Sequence, residues 1–210
     1  MASVDDSNDT FPTGRMEALT DGVFAIAMTL LILDIKVSDF GHVATNAELL
    51  SALRAEGDAL LSFVISFLML GSLWAVHTRQ FAYITHTDRH LTMINTLRLL
   101  AVVFLPLTTS ISSEYSHLEL GRMLLPLNFL VIIALGYWQW LYATNGKHDL
   151  AVKMSKSVKE YAKLRNLAIL ILAIVVTVLS VFIGPWAFLL FILTPYAMKF
   201  PGLRKLAEVG

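Results

Sequence analysis

Residues 20–36 read TDGVFAIAMTLLILDIK, an apolar run with an aspartate near each end, Asp21 and Asp34. The two carboxylates are 13 positions apart, about 20 Å at roughly 1.5 Å per helical residue, whereas a bilayer's hydrocarbon core is about 30 Å thick. If this helix crosses a membrane, at least one carboxylate sits inside it. An ionised side chain there is costly and needs a partner, a wet cavity or a pore.

The rest of the chain fits a membrane. Of 210 residues, 56% are hydrophobic and 15% charged, with a mean hydropathy of +0.67, too apolar for a soluble domain of this length. The predicted class is an all-α integral membrane protein. Sixteen Lys and Arg balance sixteen Asp and Glu, so no excess charge points to nucleic acid as a partner. The absence of cysteine excludes disulfides, thiol catalysis and Cys-ligated metals. The first residues carry Asp5, Asp6 and Asp9 and no basic stretch, and no small-residue cleavage site follows the first apolar run, so the first helix is expected to be retained.

After a polar N-terminal segment, residues 1–18, apolar runs predict one membrane domain over 19–210 with six spans, near 19–37, 58–76, 91–110, 122–143, 165–182 and 184–199. Gly184-Pro185 separates the last two as a tight helical hairpin. Lys and Arg divide unequally between the two sets of connections. Arg15, Arg79, Arg89, the fourth loop and the C-terminal residues Lys199, Arg204 and Lys205 give twelve on one side, against Lys36, Arg54 and Arg122 on the other. This bias puts both termini in the cytoplasm and requires an even number of spans. The outer side holds seven acids, Asp34 and Glu119 among them, which would concentrate cations at an external mouth; solvated loops explain them equally well. In the fourth connection, Leu150, Met154, Val158 and Tyr161 recur at helical spacing among lysines, predicting a cytoplasmic amphipathic segment over 147–165 in contact with membrane lipids. Trp138, Trp140 and Tyr142 read as an interfacial belt. No internal repeat is visible, so the walls of any axial pathway would come from further copies of the chain.

On the first helix, Ile26, Leu30, Leu33 and Val37 fall within about 40° of one line, with Thr29 flanking it. Such a stripe serves lipid contact or packing as readily as a pore. Asp21 falls on the far side of the helix from Ile26 and is expected to point into the subunit's own bundle, whereas Asp34, about 80° away, borders any lumen at its outer end. Arg15, Asp21, Trp74, His77, Asn95 and Arg98 all lie at one depth, near the cytoplasmic ends of the first three spans. A buried network of Asp21 with Arg15, His77 or Arg98 would offset the cost of these charges; alternatively Asp21 caps the helix. His86 and His90 in HTDRH lack the Glu of a zinc-protease motif, so no metal or other cofactor is expected. The chain carries no GxSxG and no phosphate loop, and Asp21 and Asp34 cannot form a dyad. An enzyme and a small-molecule substrate are therefore not expected.

The run R-x-x-x-L-T-D-G-V-F-A-I-A-M-T-L-L-I-L-D-I from Arg15 resembles the first-helix signature R-x-x-x-F-S-D of the lysosomal potassium channel family (the transmembrane protein 175 type). The six-span layout, the W-x-x-H of Trp74 and His77, and a third span running from Asn95 to Pro106-Leu107-Thr108-Thr109 are similar to its prokaryotic members. Leu19 and Thr20 stand where the hallmark has Phe and Ser, and Thr20 keeps the hydroxyl. The resemblance implies a homotetramer in a prokaryotic inner membrane whose four first helices line a potassium pathway. No TVGYG is present, so a carbonyl filter is not expected. It further implies Ile26 as the narrowest hydrophobic ring, Leu30 and Leu33 as further rings, Thr29 as a hydroxyl layer, and Arg15, Thr20, Asp21, Trp74 and His77 as a polar network anchoring the pore helix. The expected function is a passive potassium channel with a hydrophobic gate; the competing expectation is a proton-coupled transporter with Asp21, His77 and Arg98 as relay.

Overall fold

The computed structural model describes residues 10–35, 40–146, 148, 150–152 and 155–192, the side chains of Asp34 and Ile192 excepted. Helices dominate it. The first, α1 (Gly14–Leu30), tightens into a 3-10 turn over Leu31–Asp34. A short exposed helix, α2 (Asn46–Ala55), starts at a capping box in which Thr45 and Glu48 satisfy each other's backbone N–H groups. It leads into α3 (Gly57–Phe81). The third apolar run is broken. Pro106 has no N–H to donate one turn back, so α4 (Arg89–Val103) ends at Phe104 and α5 (Leu105–Glu114) restarts with the proline in its first turn. The remaining long helices are α6 (Glu119–Ala143) and α7 (Lys156–Ile183). Gly184, at φ +60°, ends α7; a 3-10 turn over Gly184–Phe188 and α8 (Leu189–Ile192) follow. A two-residue ribbon, β1 (Phe11–Pro12) against β2 (His86–Thr87), ties the start of the described chain to the α3–α4 loop.

Five stretches among the described residues are long and apolar enough to cross a membrane: Gly14–Leu33, Gly57–Phe81, Arg89–Glu114, Glu119–Ala143 and Lys156–Phe191. At Gly184-Pro185 the chain turns, burying Ala187 and setting the Phe188 ring edge-on to Phe129, centroids 5.5 Å apart; the second arm of the expected hairpin lies almost wholly outside the described residues. Most of the predicted sixth span, with Lys199, Arg204 and Lys205, lies outside the described residues, as do Lys36, Val37, Asp39, Lys147, Lys153 and Met154.

The amphipathic helix expected over 147–165 does not form as one element. Leu150–Val152 is extended: Thr85 and His86 donate to the Leu150 carbonyl, and Val152 donates to that of Tyr83. Leu150 is fully buried with Met16, Phe81, Ile84 and Leu91. A buried leucine in a segment that also satisfies the loop's backbone outweighs one on a surface wheel. Helix begins only at Lys156, capped by Ser155, and runs unbroken into the membrane stretch.

Inward faces pack Phe24, Ala27 and Leu31 of α1 against Leu70, Val102, Leu105, Phe129 and Val176. Large apolar side chains such as Leu68, Leu120 and Phe182 stay exposed on the outside, as a bilayer or a neighbouring subunit requires. At the α5–α6 junction, Ser112 donates to the Gly121 carbonyl (2.6 Å) and accepts from Leu125 N–H (3.2 Å), splicing its hydroxyl into the ladder just before Pro126. A Cβ at Gly121 would run into the Tyr115 backbone carbonyl. Gly121→Ala is therefore expected to destabilise the protein by about 1–3 kcal/mol in thermal unfolding, because backbone cannot yield as a flexible side chain does.

Candidate pore face and the polar chain behind it

Helix α1 has two unlike faces. Met16, Thr20, Phe24, Ala27 and Leu31 are buried against the bundle. On the opposite side Ile26 is 61% exposed, Leu33 67% and Leu30 43%, with Thr29 and Arg15 exposed on the same side. Ile26, Thr29 and Leu30, aligned by spacing, thus lie on a face that the subunit leaves uncovered. Thr29 donates its hydroxyl to the carbonyl of Ile26 at 2.8 Å, three residues back, so its proton is used and its oxygen lone pairs remain outward. Beyond Leu31 the helix is 3-10, so the angle assigned to Asp34 at 100° per residue does not apply; its side chain lies outside the described residues.

Behind the buried face runs one continuous hydrogen-bonded chain. Thr20 donates to the Met16 carbonyl (2.8 Å) and accepts from Asn95 Nδ2 (3.0 Å). Gln139 Nε2 donates to Asn95 Oδ1 (3.0 Å), and Arg98 Nη1 donates to Gln139 Oε1 and to His77 Nδ1, both at 3.2 Å. His77 lies between the rings of Phe81 and Phe24, at 4.2 and 6.3 Å. Four helices, α1, α3, α4 and α6, are joined by these side chains, every one of them buried. Because Nδ1 accepts, the imidazole proton sits on Nε2 and the ring is neutral.

Three expected members, Asp21, Trp74 and Arg15, stand apart. Asp21 is exposed and accepts from Trp74 Nε1 at 2.8 Å, with Trp74 itself 41% exposed. It does not enter the bundle, nor meet His77, Arg98 or Arg15 in any bond among the described residues. Thr20 takes the inward place because a hydroxyl that can bond its own helix is far cheaper to bury than a carboxylate. Arg15 is exposed on the Ile26 side, not in the network. The Asp21–His77–Arg98 relay is accordingly not assembled. Trp74→Phe is expected to cost no more than about 1 kcal/mol in thermal unfolding of the subunit, since both partners of the bond reach its surface. Gln139, the central node, was missed in the sequence because it is hidden in the aromatic run YWQWLY; an uncharged amide amid a membrane span was the available signal. Asn95 was at the right depth but was not assigned a role.

Residues 15–106 match the family model described as endosomal/lysosomal potassium channel TMEM175. The chain is 43% identical over 103 residues to potassium channel B446_29190 of Streptomyces collinus, a match covering 49% of this chain and 48% of that protein. It is 35% identical over 147 residues to potassium channel Cha6605_3372 of Chamaesiphon minutus, 69% of this chain and 72% of that one. The Gallus gallus relative, named endosomal/lysosomal proton channel TMEM175, is 40% identical over 108 residues, 49% of this chain and 22% of that protein. The match thus spans about half of the Streptomyces protein and a smaller part of the vertebrate one. The fold superposes on the crystal structure of a lysosomal potassium-selective channel TMEM175 homolog from Chamaesiphon minutus with a TM-score of 0.72 and 28% identity, over 89% of this chain and 98% of that one. By the family model, by a relative 35% identical over 72% of its length and by this fold, the chain belongs to the TMEM175 family.

Proposed function

We propose that four copies of the chain form a passive potassium channel in a prokaryotic inner membrane, both termini cytoplasmic, with α1 of each subunit lining the pore. The observation that carries this is the uncovered stripe of Ile26, Thr29, Leu30 and Leu33, opposite a face locked to the bundle. A helix tied to its own subunit on one side and bare on the other is suited to a shared axis. The names of the bacterial relatives support potassium as the permeant ion. Rings of Ile26, Leu30 and Leu33 block a hydrated ion until they widen, and Thr29 offers lone pairs to a cation stripped of part of its shell. Asp34 and the acidic outer loops would draw cations to the external mouth. The polar chain from Thr20 to His77 holds the pore helix and does not touch ions. Relatives of this kind are ion channels, and the chain is read as a channel, not an enzyme.

The test is potassium flux from the purified protein in liposomes, with subunit number from mass measurement of the detergent complex. Flux that follows the potassium gradient at symmetric pH supports the proposal. The name of the vertebrate relative favours one second reading, proton permeation along the same stripe; flux driven only by a pH gradient would select it.

A further inference from the structure

We propose that the cavity beside Arg98 is a binding site for a small inorganic anion such as chloride. The cavity, of about 40 Å³, lies among α3, α4, α6 and α7, and no residue of α1 lines it. Its polar walls are Arg98, Asn166, Gln80 and Tyr137; Ile133 and Ile169 help make the rest apolar. Two wall residues carry a buried N–H group without a hydrogen-bond partner among the described residues, Arg98 Nε and Asn166 Nδ2. The residues are 2% and 5% exposed. Both groups are donors only, so what they recognise is an acceptor.

Charge separates an anion from a water molecule as the occupant. The Arg98 guanidinium spends Nη1 on His77 and Gln139, two neutral acceptors, and among the described residues no carboxylate pairs with it. A charge removed from water among apolar walls requires a counter-charge. A space of this volume has room for a water molecule or a small ion such as a halide. Neighbouring oriented dipoles would add to the attraction in this low-dielectric setting.

The test uses the purified full-length chain at fixed potassium and ionic strength, with chloride or bromide exchanged for gluconate, which is too large for the cavity. Halide is expected to raise the unfolding temperature by about 2–4 °C, and Asn166→Leu, similar in size but without the donor, is expected to abolish the difference. Crystals soaked in bromide are expected to show an anomalous peak between Arg98 and Asn166; this decides the matter even if the variant fails to fold. Equal unfolding temperatures in chloride and gluconate with no bromide peak would mean that water alone occupies the cavity, and would overturn the proposal. A halide effect that survives Asn166→Leu would be a general salt effect and would overturn it too.

Discussion

Ile26→Asn is expected to raise potassium flux through the reconstituted protein about tenfold, which corresponds to about 1.4 kcal/mol removed from the barrier. Ile26 begins the uncovered stripe, 61% exposed and one turn from Leu30. In an axial pore it would recur once per subunit, and a narrow ring of branched alkyl groups holds no water column. Asn is smaller than Ile and offers a carbonyl and an amide, so the constriction is wider and stays wet. The backbone has no reason to move, since Ile26 makes none of the buried contacts that fix α1. Stopped-flow potassium efflux from liposomes measures the change. The same substitution at Leu120, 69% exposed at the start of α6, serves as the control and is expected to leave flux near the wild-type value. Equal flux in wild type and Ile26→Asn would remove Ile26 from the conduction path.

Gln139→Leu is expected to lower unfolding stability by about 3 kcal/mol, the largest loss for any single uncharged side chain in the bundle. Gln139 is the one group that both accepts from Arg98 and donates to Asn95, and it is wholly buried. Leucine fills the volume but leaves a guanidinium N–H and a buried amide oxygen without their partner. Removing one partner of a buried bond costs the desolvation of the other, and more when that other is charged. Gln139→Glu keeps the acceptor for Arg98 and adds a counter-charge while losing the donor to Asn95, so it is expected to lose less. Thermal unfolding of the three proteins side by side checks the order.

The stripe on α1 was legible because it is a local, periodic pattern, and a helix carries that pattern unchanged from sequence to surface. The inward face was harder. Thr20 and Asp21 lie about 120° and 140° from Ile26 on opposite sides of the helix, so spacing alone leaves both as candidates for the bundle. Packing decided between them, with Thr20 beneath Asn95 and Asp21 left at the rim with Trp74. The polar chain was half visible: depth along each span grouped His77, Asn95 and Arg98, but Gln139 enters from α6, distant in sequence and without a periodic signature. The extended stretch at Leu150 was illegible for a related reason. Its partners, Tyr83 and Thr85, are contributed by another loop, and a wheel drawn on one segment cannot register them.

The break in the third span at Phe104 has a mechanical consequence. Its first half, α4, holds α1 through Asn95 and Thr20, while its second half, α5, packs on the 3-10 end of α1 at Leu31–Asp34. One span therefore grips the same helix at two heights, with a joint between the grips where the backbone ladder is interrupted by Pro106. A bend at that joint would shift the C-terminal end of α1 relative to its N-terminal half, which the polar chain clamps. The polar chain lies wholly on the α4 side of that joint, so such a bend would leave each of its bonds intact.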